Sequence, residues 1–191
     1  MFQRNWTLPI KYELLQITLF SISGLKKFKE ALPDANTLIR LEPDDADGYS
    51  LRGMIFLNLK EYNDGIVDLT KAIELDKNNA KRYSDRGSAF YYLGNNNNAL
   101  NDFNSAIRVN PEYVDAYLNR GLLFYYSKQF ENAILDFTKA IEIDSENVNA
   151  YYYRASLYKI MSEQEPDMSL KLFYIKKAES DDAMLSSLSE N

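Results

Sequence analysis

AKRYSDRGSAFYYLGNNNNALNDFNSAIRVNPEY, residues 80–113, is the stretch on which the reading of the fold turns. Within it Tyr83, Gly87, Phe90 and Leu93 recur at i, i+4, i+7 and i+10, which places them on one face of a first helix. Ala99, Leu100, Phe103, Ala106 and Ile107 give a second helix its own apolar face. Gly94-Asn95-Asn96-Asn97-Asn98 lies between them, a run that tolerates left-handed backbone and therefore predicts a turn. Pro111 stops the second helix and starts the next unit. The stretch is a helical hairpin.

The same pattern stands on both sides without a gap, in 46–79 (ADGYSLRGMIFLNLKEYNDGIVDLTKAIELDKNN) and 114–147 (VDAYLNRGLLFYYSKQFENAILDFTKAIEIDSEN). A period of 34 residues suits a pair of helices and their turns. Gly53, Gly87 and Gly121 hold the eighth place of each block, and Gly65, Ala99 and Ala133 the twentieth. Glycine costs about 1 kcal/mol against alanine inside a helix, so three in one register predict close approach of two helices. Tyr49, Tyr83, Tyr117 and Tyr151 at the fourth place, with Phe56, Phe90, Phe124 and Tyr158 at the eleventh, fill the space beside those contacts. These residues resemble the tetratricopeptide repeat (TPR) family, whose pattern has an aromatic, Gly, aromatic, Ala, aromatic, Ala and Pro at these spacings. The resemblance implies an all-α, right-handed solenoid of about four to five TPR-type helical hairpins.

The flanks depart from the pattern in ways that predict their form. Block 12–45 keeps Phe28, Ala31, Leu32, Ile39, Leu41 and Pro43 in register, but Pro33 would break a helix begun at Phe28. It reads as a degenerate capping repeat behind an N-terminal arm over 1–11. Downstream, 148–185 begins with Tyr151, Ala155 and Tyr158 and then slips. Pro166 reads as the first residue of a late helix, which predicts an inter-helix loop about four residues longer than in the other blocks. Ala178 then matches the repeat's later alanine, and 186–191 is left as a tail. Lys77 and Ser145 replace the expected Pro, which softens the ends of those two blocks. Asn96 replaces the aromatic seen as Tyr62 and Phe130.

Composition excludes whole classes of chemistry. The chain has 191 residues, 22 Lys and Arg against 28 Asp and Glu, no histidine and no cysteine. That removes zinc fingers, Cys–His and Ser–His–Asp nucleophiles, disulfides and the usual haem or iron–sulfur ligation. The acidic balance argues against nucleic acid, whose phosphates need clustered cations. No glycine-rich phosphate loop is present. Pro43-Asp44-Asp45-Ala46-Asp47-Gly48 matches a calcium loop at three places only, with Met54 where the closing Glu belongs, and reads as a turn and helix cap. No cofactor, metal or catalytic group is expected, and the chain reads as non-enzymatic. The apolar run Leu14–Leu25 is preceded by Glu13, broken by Gln16 and lacks a convincing cleavage site, so the expected location is cytoplasmic, with a signal peptide as the lesser alternative. The sequon Asn5-Trp6-Thr7 matters only under that alternative. No stretch is long and apolar enough to span a membrane.

Once the core is assigned, each first helix keeps one face. In 80–113 that stripe includes Ser84, Ser88, Tyr91 and Tyr92; in 114–147, Leu118, Asn119, Leu122, Tyr125 and Tyr126; in 148–185, Tyr152, Tyr153 and Ser156. In proteins this chain resembles, such stripes line a concave groove that holds an extended peptide or partner helix. Six tyrosines there suit an interface, since a rigid ring with a polar tip buries area at modest entropy cost. The family's clamp for a C-terminal carboxylate needs Lys, Asn, Asn, Lys and Arg. The corresponding residues here are Ser50, Met54, Asp85, Asp115 and Asn119, or one unit on Ser84, Ser88, Asn119, Asn149 and Tyr153. The cations are missing, so a protein or peptide partner of apolar or mixed character is expected. A small acidic chaperone of a secretion system, or an assembly subunit that self-associates through its terminal repeats, are the alternatives, with a homodimer as a further partner state. Finally, Arg52, Arg86, Arg120 and Arg154 form a column opposite Asp68, Asp102 and Asp136. Planar, bidentate Arg–Asp pairs linking helices are favoured over an anion-binding ladder.

Overall fold

Residues 25–189 are described in the computed structural model of the chain. The arm over 1–11, the start of the capping repeat over 12–24 with most of its apolar run, and residues 190–191 lie outside the described residues. Among the described residues there are nine α-helices and no strand. They are α1 (Leu25–Leu41), α2 (Ala46–Asn58), α3 (Tyr62–Leu75), α4 (Ala80–Tyr92), α5 (Asn96–Val109), α6 (Val114–Tyr126), α7 (Phe130–Ile143), α8 (Val148–Gln164) and α9 (Met168–Ser189). Each ungapped block forms two helices, beginning at its first and seventeenth places.

Local chemistry sets these boundaries. The fifteenth place of the three blocks holds Lys60, Gly94 and Lys128, with φ of 63°, 75° and 59°. This left-handed residue ends each first helix and turns the chain. Glycine adopts it freely, whereas a lysine there is strained by about 1–2 kcal/mol. Lys128→Gly is therefore expected to stabilise the protein by about 0.5 kcal/mol, after the extra chain entropy of glycine is subtracted. Gly94→Ala should lose about 1 kcal/mol although nothing lies within 4 Å of the added Cβ. Urea unfolding tests both; a neutral Gly94→Ala would contradict the argument.

The turns between blocks do not need the missing prolines. Asp76, Asn110 and Asp144 each accept a hydrogen bond at Oδ1 from the backbone N–H two residues on, at 3.0, 3.0 and 3.2 Å. This side-chain turn forms whether Lys77, Pro111 or Ser145 follows, so the two substituted blocks end as the third does. At the helix starts, Asp45 accepts from Asp47 N–H at 2.8 Å and Asn147 from Ala150 N–H at 3.0 Å. Asp45 is thus a cap, as the turn reading of 43–48 expects.

Three expectations are corrected. Pro33 does not break α1, which runs through it. Pro33 and Lys29, whose carbonyl loses its donor, are both exposed, so that carbonyl is open to solvent and the loss is small; Ala31, Ala35 and Leu38 are buried on the opposite face. The extra residues after Tyr158 do not form a longer loop. They lengthen the first helix: α8 has 17 residues where α2, α4 and α6 have 13, and only 165–167 separate it from α9. Pro166 precedes α9, and Asp167 caps it by accepting from Leu170 N–H at 2.9 Å. The stretch 186–189 is no tail but the end of α9.

The chain divides into two compact units, Met1–Asp102 and Phe103–Asn191. In the first, α1 packs on α2, α2 on α3 and α3 on α4. Ala31, Ala35, Leu38, Leu51 and Ile55 form its buried cluster, with Phe28, Leu32, Met54 and Leu59 packed against it. A Cβ on Gly53 would meet the Gly65 carbonyl oxygen at 3.3 Å, and one on Gly65 the Gly53 oxygen at 3.2 Å. Here the small residues permit the close helix approach read from their register. In the second unit α6 packs on α7, α7 on α8 and α8 on α9. Its core contains Tyr117, Leu118, Ala133, Phe137, Ala140, Ala150 and Leu157.

Candidate functional site

The second unit carries a continuous row of tyrosine rings. Tyr125 and Tyr126 end α6, and Tyr152 and Tyr153 lie in the first turns of α8. Tyr125 meets Tyr126 edge to face at 5.2 Å and 80° between planes, and Tyr152 meets Tyr153 at 5.3 Å and 76°. Tyr125 and Tyr153 join the pairs at 6.1 Å. Tyr153 stacks on the buried ring of Phe137 at 5.7 Å, which anchors the row to the core. The outer rings face solvent, Tyr126 at 62% and Tyr152 at 57% exposure.

The first unit holds a smaller aromatic group. Tyr92, at the end of α4, stacks on Tyr62 of α3 at 5.1 Å and meets Tyr91 edge to face at 5.7 Å. Tyr92 is exposed and Tyr91 half-buried.

The remaining stripe residues are placed less uniformly. Ser84 and Leu118 are buried, the latter within the second unit's core, so the accessible stripe is narrower than helical spacing alone implies. Asn119 and Leu122 are half-buried. The hydroxyls of Ser88 and Ser156 donate to the carbonyls of Ser84 and Tyr152 one turn back, at 3.0 and 2.8 Å. Leu122, Tyr125 and Tyr153 pack partly against the core.

The arginine column is structural. Arg52, Arg86 and Arg120 each grip the carboxylate sixteen residues on through Nε and Nη2: Asp68 at 2.6 and 2.8 Å, Asp102 at 2.8 and 2.8 Å, and Asp136 at 2.8 and 2.6 Å. Arg154 does the same to Asp181, at 2.9 and 2.7 Å. Asp181 comes late because the longer α8 carries the turn away from Arg154, and α9 must run about two turns more before it draws level. Each guanidinium charge is thereby matched inside the fold. Burial pushes the Asp136 carboxyl above the ordinary range, against the pull of Arg120. The hydrogen bond to Asp136 holds Arg120 protonated in turn.

Two features of the ion-paired arginines escape a reading of single motifs. Every arginine of the column also donates through Nη1 to a residue of the preceding block: Asn36 at 2.7 Å, Thr70 at 3.0 Å, Asn104 at 2.5 Å and Thr138 at 3.0 Å. These acceptors recur at the 34-residue period, which is the signal that would have found them. Arg82 is the other. It stands where Gly48, Ala116 and Ala150 stand in the other blocks, and it is buried. Its guanidinium reaches Ser50 at 2.7 Å, Asp76 at 2.6 Å and Asp47 at 2.8 Å. A charge in a column of small residues is the mark of that node.

No group of three or more acidic, His or Cys side chains suited to a metal ion occurs among the described residues, and no described helix is long and apolar enough to cross a membrane.

Known proteins place this architecture. Models of the tetratricopeptide repeat match residues 46–79 and 114–147, and a TPR repeat model matches 87–126. No curated protein matches the chain in sequence. Among solved structures, MamA superposes with a TM-score of 0.72 at 22% identity, covering 95% of this chain and 96% of its own. YrrB, described as a TPR protein with an unusual peptide-binding site, gives 0.67 at 18% identity, covering 96% and 91%. The first TPR of Spaghetti (RPAP3), solved bound to the HSP90 peptide SRMEEVD, gives 0.59 at 24% identity, covering 62% and 94%. With its 34-residue hairpins, small-residue contacts and all-α solenoid class, the chain belongs to the tetratricopeptide repeat family of protein–protein interaction modules.

Proposed function

We propose that the protein is a non-enzymatic adaptor or scaffold that holds a peptide or helix of a partner protein against the tyrosine rings of α6 and α8. The observation that carries this reading is the row Tyr126–Tyr125–Tyr153–Tyr152, packed on the core at its centre and exposed at both ends. Its inner rings are fixed by packing on the core and on Phe137, so a partner would meet a surface whose ordering cost has already been met in folding. Exposed rings supply the buried area, and phenol hydroxyls supply polar contacts. Peptide binding by the Spaghetti (RPAP3) domain and the peptide-binding site of YrrB are consistent with such a use of the fold. The carboxylate-clamp positions hold Ser50, Met54, Asp85, Asp115 and Asn119, which gives no cation to receive a C-terminal tail.

Affinity capture from the source cell, wild type against Tyr126→Ala/Tyr152→Ala, tests the reading. Both side chains are exposed, so the pair should leave the fold intact, whereas Tyr125 also packs on the core and is the poorer choice. Partners retained by wild type should fall by at least about ten-fold, the loss of two interface rings. Retention of every partner by the variant would sink the proposal.

A further inference from the structure

The net charge of the chain is unevenly distributed. Residues 103–191 carry nine Lys and Arg against fourteen Asp and Glu, whereas 1–102 carry thirteen against fourteen. The unit that bears the tyrosine row therefore holds almost all of the formal −6. Four of its nine cations are committed to ion pairs: Arg120 to Asp136, Arg154 to Asp181, Lys139 to Glu142 and Lys159 to Asp182. Asp115 on α6 and Glu163 on α8 fall on the tyrosine stripes by helical spacing, and both are exposed.

The rings themselves favour positive charge. An aromatic face is the negative side of the ring quadrupole and attracts guanidinium or ammonium groups. Two nearly perpendicular rings, as in Tyr125–Tyr126 and Tyr152–Tyr153, form a corner in which one cation can meet a ring face beside a phenol oxygen. The unit already uses this chemistry internally. Arg120 lies 5.8 Å from the centre of the Tyr117 ring, and Arg154 5.7 Å from that of Tyr151.

We propose that the tyrosine row of α6 and α8 recognises a cationic segment of a partner protein, with arginine or lysine side chains seated against the Tyr126 and Tyr152 rings. The proposal rests on the protein-interaction reading above and narrows its partner. A purely apolar segment would gain from ring area alone. A segment carrying cations gains from the area, the ring faces and the surplus carboxylates together, and the acidic unit also steers its approach.

The test is fluorescence anisotropy with the full chain and two labelled short peptides. One alternates leucine and arginine; its twin carries citrulline, neutral and nearly isosteric, at every arginine. The arginine peptide should bind about ten-fold more tightly than its twin. Tyr126→Ala/Tyr152→Ala should erase that preference, while Tyr126→Phe/Tyr152→Phe, which keeps the ring faces, should preserve it. Circular dichroism confirms that the variants are folded. Equal binding of the twins, binding of neither, or a preference that survives the alanine pair would each overturn the proposal. The first of these outcomes, with binding still lost on the alanine pair, removes only the cationic specificity and leaves the interaction surface standing. Failure of that surface is read separately, from partners retained in affinity capture.

Discussion

Arg120→Ala should destabilise the protein by about 3 kcal/mol at neutral pH, the lower end of what breaking a buried ion pair costs. The guanidinium grips Asp136 at 2.8 and 2.6 Å and also donates to Asn104 at 2.5 Å, so it ties three helices. The Asp136 side chain is 6% exposed and Arg120 21%, which lets water soften the loss and sets the estimate low. Removing the cation strands an ionised carboxylate among apolar neighbours. Asp136 already titrates above its ordinary value because burial opposes its charge. For such a group the stability contribution is fully present below the unfolded value, about 3.9, and is lost as pH rises through the folded one. Loss of Arg120 moves the folded value higher still. The deficit of the variant should therefore be small in acid and grow toward neutrality. Urea unfolding at about pH 5 and pH 7 reads this; an equal deficit at both would show that Asp136 is not the stranded group. Lys139→Ala, at an exposed pair with Glu142, is the control and should change nothing measurable.

Phe137→Ala is expected to cost about 3–5 kcal/mol, as for other fully buried aromatic rings. Its ring has no exposure, faces Gly121 across α6 and α7, and carries Tyr153 stacked on it at 5.7 Å. A Cβ on Gly121 would lie 2.7 Å from Phe137 Cε1 and 3.0 Å from Cδ1. Gly121→Ala alone must push a fully buried ring, and overpacking of this kind costs about 1–3 kcal/mol. In the Phe137→Ala background that clash is gone. The same alanine should then be neutral, or gain up to about 1 kcal/mol from helix propensity. The double-mutant cycle thus measures the contact directly, and additive effects would refute it. Phe137→Ala should also weaken partner capture, because the inner tyrosines lose the ring that positions them.

Much of this was legible in the residues. Tyr83, Gly87 and Phe90, repeated at 34-residue spacing, predict the hairpins; Gly94 predicts the left-handed turn; the paired columns of Arg and Asp predict the helix-to-helix clasp, and all are present. Other particulars were not. Pro33 argued for a broken helix, because proline's missing N–H is always a loss in sequence but is nearly harmless where the orphaned carbonyl meets water. Pro166 argued for a long loop, because a slip in register has the same spelling whether the extra residues enter a loop or lengthen a helix. Asp181 as the partner of Arg154 followed only from that lengthening.

The site divides in the same way. Spacing alone put Ser84, Leu118, Tyr126 and Tyr152 on outward stripes, since a periodicity of 3.6 residues fixes where a side chain leaves its own helix. Burial of a stripe residue depends on what packs over it, and that is a property of neighbouring helices. Leu118 is drawn into the core while Tyr126 and Tyr152 remain in solvent. The repeat, its family and the residue types on its free face can all be read along the chain, because local periodicity and small-residue register are one-dimensional signals. Which tyrosine is held by Phe137 and which are exposed emerges from the packed helices alone, because packing against α7 and α8 is set by contacts that no spacing along one helix records.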